Sequence, residues 1–413
     1  PPPPPPPPPP PFFFQAEDGI RVRVASRGLG DVYKREGLDV VLLGPIPTPA
    51  VGMLTHSMRA DVGVMISASH NPHYDNGIKF FGPDGYKLSD DAEKEIESLF
   101  QSGVDLCRAE NIGRANRVES AAGRYVETAK STFPKGKRLD GLKVVIDCAN
   151  GAGYRTAPEV LWELGADVIP VGVSPNGYNI NQNVGSTAPQ TAVETVLMHG
   201  ADLGICLDGD ADRVLIIDEK GQIANGDQIM GLIAKRWAEK QSLKGGALVA
   251  TVMSNLGLER WLTQHGIGLH RTAVGDRYVV DAMRKGGFNL GGEQSGHIVM
   301  NDFSTTGDGL LAGLQFLATL VETNKRASEI AKVFTACPQE VKNIKFAAGN
   351  TPLEDEKVKK ILKESNSILD GKGRILIRES GTEPLIRVMV EAEDEALLSQ
   401  VIHDVVQAVQ NVA

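Results

Sequence analysis

The chain reads as an α/β protein, with domains built on mainly parallel sheets and followed by a compact α+β domain. Three observations predict this. Past Glu36, short apolar runs alternate with helix-like stretches, the pattern of strands linked by helices. The 413 residues exceed what one core usually serves, so several domains are expected. From about residue 339 the order changes to strand, helix, strand, strand, helix, which fits a smaller α+β unit.

The elements follow in chain order. Pro1–Pro11 is an unbroken proline run followed by Phe12–Phe14, and such a tract forms a stiff, solvated rod that packs no core. Residues 15–35 lack a strand or helix period, so 1–35 is expected to be a disordered or artefactual segment resembling translated adapter sequence, with a docking arm as the functional alternative. Gly37–Leu43 reads as a buried strand ending in Gly44-Pro45, and Val62–Ile66 as a short apolar strand. Asp91–Gln101 reads as a helix with Ala92, Ile96 and Phe100 on one face. A second unit has strands at Leu142–Asp147, Asp167–Val171, Ala201–Leu207 and Val214–Ile217. A third has a strand at Ala247–Thr251 and a helix over Leu310–Val321. The tail has strands at Val341–Phe346, Arg374–Arg378 and Leu385–Glu391, with helices over Leu353–Leu369 and Glu393–Val409.

Composition narrows the function. With 43 Lys and Arg against 52 Asp and Glu, the net charge is −9, which argues against nucleic acid or an anionic membrane as the partner. No apolar run is long enough to span a membrane. The four cysteines are widely spaced, with no C-x-x-C pair, as in reduced cytoplasmic proteins.

Four loops carry the chemistry. Ser67-Ala-Ser-His-Asn-Pro72 places Ser69 just past a strand, where open α/β sheets bind ligands, and Lys79 follows as a cation for phosphate. Taken alone, Ser69 reads more readily as the cap of a turn. Asp208-Gly-Asp-Ala-Asp-Arg213 sets three carboxylates two residues apart, able to converge on one hard cation. An EF-hand is ruled out because Arg213 stands where that loop needs glycine. Gly292-Glu-Gln-Ser-Gly-His297 offers Glu293 and Ser295 to sugar hydroxyls and His297 for proton exchange, although a plain polar loop fits this motif as well. Arg378-Glu-Ser-Gly-Thr-Glu-Pro384 with Arg387 makes a phosphate cradle of guanidinium groups, hydroxyls and loop N–H groups.

In this order, the four loops closely resemble those of the α-D-phosphohexomutase superfamily, over about Gly37 to the end. Gly44–Ala50, Val274–Val279 and Glu379–Met389 are most similar to its bacterial phosphoglucosamine mutase branch. The resemblance implies three similar mixed-sheet α/β domains and a C-terminal α+β domain around a central cleft. The expected divisions are 36–121, 122–225, 226–338 and 339–413, with the first domain incomplete because its usual opening strand and helix are missing. That loss is expected to expose a sheet edge or apolar face.

By the same resemblance, Ser69 carries a phosphoryl group, and Asp208, Asp210 and Asp212 hold Mg²⁺ with it. Lys79 and Arg213 steady the phosphoryl group, and His297 is a proton shuttle. Glu293 and Ser295 grip the sugar, while Arg378, Ser380, Gly381, Thr382 and Arg387 hold the phosphate that is not reacting. The implied reaction interconverts glucosamine 6-phosphate and glucosamine 1-phosphate through a bisphosphate, on the route to UDP-N-acetylglucosamine. The partner is a small sugar phosphate, the setting the cytoplasm, and the assembly a homodimer. The alternatives are a phosphoglucomutase or phosphomannomutase, and a non-catalytic sugar-phosphate-binding protein.

Overall fold

The computed structural model describes residues 37–102, 107–347, 350–379 and 385–412. The segment 1–35 lies outside the described residues, as do Ser380, Gly381 and Thr382.

The first part contains β1 (Val40–Leu42), α1 (Thr48–Ser57), β2 (Gly63–Ser67), β3 (Gly77–Phe81), α2 (Asp90–Ser102), β4 (Ala115–Arg117) and α3 (Ala121–Ser131). Strands β1 and β4 pair in parallel, and β2 and β3 form an antiparallel hairpin. Two expectations are corrected here. The run Gly37–Leu43 is strand only over three residues and is not buried: Val41 is 42% exposed, because among the described residues β1 pairs only with the equally short β4. In α2, Ile96 is 36% exposed, so it does not enter the core as its place on the apolar face led one to expect. The apolar residues of this helix stand among carboxylates and lysine, in a narrow stripe.

The second part contains β5 (Lys143–Asp147), α4 (Thr156–Glu163), β6 (Asp167–Val171), α5 (Gln190–His199), β7 (Leu203–Leu207), β8 (Val214–Asp218) and β9 (Ile223–Ala224), in the sheet order β6-β5-β7-β8-β9. The third contains α6 (Gly226–Glu239), β10 (Ala247–Thr251), α7 (Leu256–Gln264), β11 (Gly268–Thr272), α8 (Asp276–Gly286), β12 (Leu290–Gly292), β13 (Ile298–Met300), α9 (Gly309–Thr323) and α10 (Ala327–Ile330), in the order β11-β10-β12-β13. These sheets are mixed, as the resemblance implies, rather than mainly parallel as the alternating apolar runs alone suggested. Parallel pairs join β5 to β6 and β7, and β10 to β11 and β12, whereas β7–β8 and β12–β13 are antiparallel. Residues 208–213 and 293–297 are their whole connections, and loops this short close only antiparallel pairs.

The last part is the α+β unit: β14 (Gln339–Lys345), α11 (Glu356–Ile368), β15 (Gly373–Glu379), β16 (Leu385–Ala392) and α12 (Glu395–Gln410), with β16 central and all pairs antiparallel. One apolar core runs from Ile46 through Phe334, across the first three parts. The fourth has a separate core of its own, built on Ile386, Val388 and Val390 of β16 and Val401 and Val405 of α12. Among the described residues no helix is long and apolar enough to cross a membrane.

One buried polar contact ties α3 to the third part. Asp308 caps α9 by accepting from the Leu311 N–H at 3.0 Å, and the Tyr125 hydroxyl of α3 lies 3.0 Å from both of its oxygens. Burial pushes the Asp308 carboxyl up to about 7, against 3.8 when unfolded. A carboxyl raised on folding favours the native state below its unfolded value, and that stability is lost as pH rises through the folded value. Thermal melting should therefore show wild-type stability falling from about pH 4 to about pH 7 relative to Asp308→Asn. Tyr125→Phe, which strips a partner from a buried carboxyl, should cost about 1–3 kcal/mol.

Candidate active site

Each chemistry-bearing loop joins the two strands of an antiparallel hairpin: β2–β3, β7–β8, β12–β13 and β15–β16. A hairpin presents its connecting loop at one end of a rigid ladder, which suits residues that must be held in place. The first three loops meet.

Ser69 stands at the tip of the first. Its φ is 52°, a left-handed conformation unusual for a residue with a Cβ. Its N–H donates to Ser67 Oγ at 2.8 Å, and its Oγ lies 3.3 Å from Asp208 Oδ2. Behind it the metal-type loop comes so close that a methyl added to Gly209 would lie 2.4 Å from the Ser69 carbonyl oxygen.

Asp208, Asp210 and Asp212 are all buried, and each offers a carboxylate oxygen within 4.8 Å of the others. Lys79, on β3, donates to Asp210 at 2.6 Å and to Asp212 at 2.9 Å. The buried Thr48 hydroxyl, at the start of α1, donates to Asp210 Oδ2 at 2.5 Å. The Arg213 N–H donates to Asp208 Oδ1 at 3.1 Å. Burial, and then the charges of Asp212 and Asp210, push Asp208 well above the usual carboxylate range. Burial also opposes ionisation of Asp212, but His297 and Lys79 outweigh it and hold that carboxyl well below the range. Burial would lower Lys79, yet Asp210 and Asp212 more than reverse it. Asp210 Oδ1 and Asp212 Oδ1 are buried without a hydrogen-bond partner. Oxygen ligands, converging and unsatisfied, fit a hard divalent cation.

The third loop zips onto the second. Val214 N–H donates to Gly296 C=O, and Arg213 bridges to His297. The buried His297 ring lies between two carboxylates, with Nδ1 3.5 Å from Asp212 Oδ1 and Nε2 3.5 Å from Asp276 Oδ2. Gly307 N–H donates to Nε2 at 3.2 Å. Asp276 is itself paired with Lys87, and these cations overcome its burial to bring it down to about 2. Glu293 accepts from the Gly275 N–H at 3.1 Å and from the exposed Ser295 hydroxyl at 3.4 Å.

The structure thus joins Ser69, Lys79, the three aspartates, Arg213 and His297 in one network, with Glu293 and Ser295 on the adjoining loop. Arg378 and Arg387 face each other across the β15–β16 ladder of the last domain. Thr48, Asp276, Lys87 and Asn181 join the site without having been singled out by sequence. Thr48 lies in the Gly44–Ala50 stretch, and Asn181 in an asparagine-rich tract over 176–183 that offered a signal.

Comparisons with known proteins agree with this geometry. Phosphoglucomutase/phosphomannomutase family models match in all four parts: alpha/beta/alpha domain I at residues 23–105, domain II at 123–221, domain III at 225–337 and the C-terminal domain at 322–408. The chain belongs to the phosphoglucomutase/phosphomannomutase family. It is similar to the phosphoglucosamine mutase of Ruegeria sp. (strain TM1040), 65% identical over 374 residues, covering 91% of this chain and 84% of that protein. That of Paracoccus denitrificans (strain Pd 1222) is 64% identical over 377 residues, with the same coverage. Among solved structures, a family protein from Burkholderia thailandensis superposes with a TM-score of 0.77 at 22% identity, covering 94% of this chain and 86% of that one. Aspergillus fumigatus N-acetylphosphoglucosamine mutase, in complex with GlcNAc-6P and magnesium, gives 0.67 at 20%, covering 88% and 92%. At those identities the superpositions speak for the fold.

The close approach at Gly209 generates a test. In Gly209→Ala the new methyl meets backbone and must push the Ser69 turn away from Asp208. Turnover should fall by about a hundredfold, the scale of a misplacement near 1 Å, with secondary structure by circular dichroism unchanged. Full activity would contradict the packing described.

Proposed function

We propose that the chain is a phosphoglucosamine mutase, interconverting glucosamine 6-phosphate and glucosamine 1-phosphate through a phosphoserine at Ser69 and a bisphosphate sugar. The observation that carries the reaction class is Ser69 Oγ standing 3.3 Å from a buried, cation-ready carboxylate cluster. The amino sugar follows from the 65% identity to the Ruegeria phosphoglucosamine mutase.

Phosphoryl transfer demands in-line positioning and charge neutralisation more than covalent work by the protein. Phospho-Ser69 gives its phosphoryl group to a sugar hydroxyl. A P–O bond forms at the sugar oxygen as the Ser69 Oγ–P bond breaks; the hydroxyl proton passes by way of His297 to the departing Ser69 Oγ, and the return transfer carries a proton back to the sugar oxygen in the same way. The resulting bisphosphate turns over and returns its other phosphoryl group to Ser69, leaving the isomerised monophosphate. Lys79 and Arg213 neutralise the group in transit, and Glu293 and Ser295 hold the sugar. Arg378, Ser380, Gly381, Thr382 and Arg387 hold the resting phosphate, first at one end of the sugar and then at the other. Asp208, Asp210 and Asp212 would hold Mg²⁺ together with the Ser69 phosphate, and the ion would supply charge stabilisation to the transferring group. The setting is the cytoplasm and the assembly a homodimer, as the family resemblance implies.

A coupled assay for glucosamine 1-phosphate formation with Mg²⁺ tests the reading. Ser69→Ala should abolish turnover, chelation of the metal should do the same reversibly, and kcat/KM should favour glucosamine 6-phosphate over glucose and mannose 6-phosphates. Turnover in Ser69→Ala, or a preference for a neutral hexose phosphate, would contradict it.

A further inference from the structure

We propose that Asn181 is a positioning residue for the transferring serine: its amide, reaching across from the second domain, holds the Ser69 turn in the left-handed geometry that points Oγ at the acidic cluster. The inference rests on the phosphoserine reading of Ser69 above.

The Ser69 turn has little to hold it from within. Asn71 N–H donates to Ala68 C=O at 2.9 Å, closing a tight turn in which Ser69, with φ of 52°, takes a place better suited to glycine. The two carbonyls that this turn exposes, those of Ser69 and Asn71, both accept from Asn181 Nδ2 at 2.8 Å. Both amide hydrogens are thereby used, and the side chain bridges the turn from outside.

Asn181 is itself anchored. It also has a left-handed φ, 58°, and its N–H donates to Ala149 C=O at 2.9 Å. Ala149 N–H donates to Asp147 Oδ1 at 2.9 Å, and Asp147 Oδ2 accepts from Gly185 N–H at 2.6 Å. Asp147 is fully buried at the end of β5. A continuous chain of hydrogen bonds therefore runs from the sheet of the second domain to the reacting serine. From the other side, Gly209 closes against the same Ser69 carbonyl. The turn is gripped between two loops of a domain other than its own.

This grip matters for a mutase because Ser69 acts twice, as donor and then as acceptor, while the sugar turns over between the two transfers. Oγ must occupy one position in both half-reactions. Asn181 bonds to the turn and to Ala149, and the sugar-gripping residues lie on other loops. Its loss should lower kcat and leave the binding of glucosamine 6-phosphate alone.

Asn181→Asp and Asn181→Gly test this beside wild type and Ser69→Ala. Aspartate keeps size and tolerates the left-handed backbone but has no N–H to give. Glycine keeps the backbone conformation and removes the side chain. Both should show kcat lowered by about a hundredfold, with KM for glucosamine 6-phosphate close to wild type and both variants folded by circular dichroism. Wild-type kcat in either variant, a rise in KM at constant kcat, or failure of both variants to fold would overturn the proposal. Should only the glycine variant unfold, the aspartate variant decides. Ser69→Ala should be inactive; its turnover would overturn the phosphoserine reading itself, separately from the role of Asn181.

Discussion

Three carboxylates buried within one short loop are the constraint on which the rest of this structure depends. At an effective dielectric of 20, like charges 4 Å apart repel by about 4 kcal/mol, so Asp208, Asp210 and Asp212 stand together only where positive charge and hydrogen-bond donors are brought to them. The chain brings them from three directions. Lys79 and Thr48 arrive from the first domain, Arg213 from the loop itself, and His297 from the third domain. These domains therefore share one continuous core, closed around the acidic loop. Asp210 Oδ1 remains buried without a hydrogen bond, and Asp212 Oδ1 has the His297 ring no nearer than 3.5 Å, which leaves the cluster a reason to take up a cation.

The fourth domain is built differently. It has its own apolar core, and it meets the third domain through polar links: Glu391 accepts from Leu256 N–H at 3.1 Å, and Arg374 donates to Ser254 C=O at 2.6 Å. Such an interface suits a body that shifts relative to its neighbour. On the proposed reading, a cradle that accepts a phosphate at either end of a turning sugar would call for that freedom, whereas the serine and the acidic loop would call for the opposite.

Much of this was legible in the sequence, for identifiable reasons. Strands such as Lys143–Asp147 and Leu203–Leu207 are nearly continuous apolar runs, and helix Gly309–Thr323 is apolar all round, so burial alone marks them. The acidic loop was legible because its charges make little sense without a cation. Mixed sheets were expected from the resemblance but not read from the connections, although the short ones at 208–213 and 293–297 dictate antiparallel pairs. Nor did the local pattern reveal that Ile96 faces solvent, since amphipathic spacing tells which residues share a face and not whether anything covers it. Thr48 and Asn181 were missed for a related reason. Each acts on a loop more than a hundred residues away, Thr48 on Asp210 and Asn181 on Ser69, and only the fold makes them neighbours.

The central claim is that Ser69 is the group that accepts and returns the phosphoryl group. The most direct measurement is peptide mass mapping after the protein is incubated with a hexose 1,6-bisphosphate and Mg²⁺. The account predicts phosphate on Ser69, removed again when excess hexose monophosphate is added. Phosphate on Ser67 or another residue instead, or none at all on a folded protein, would contradict it.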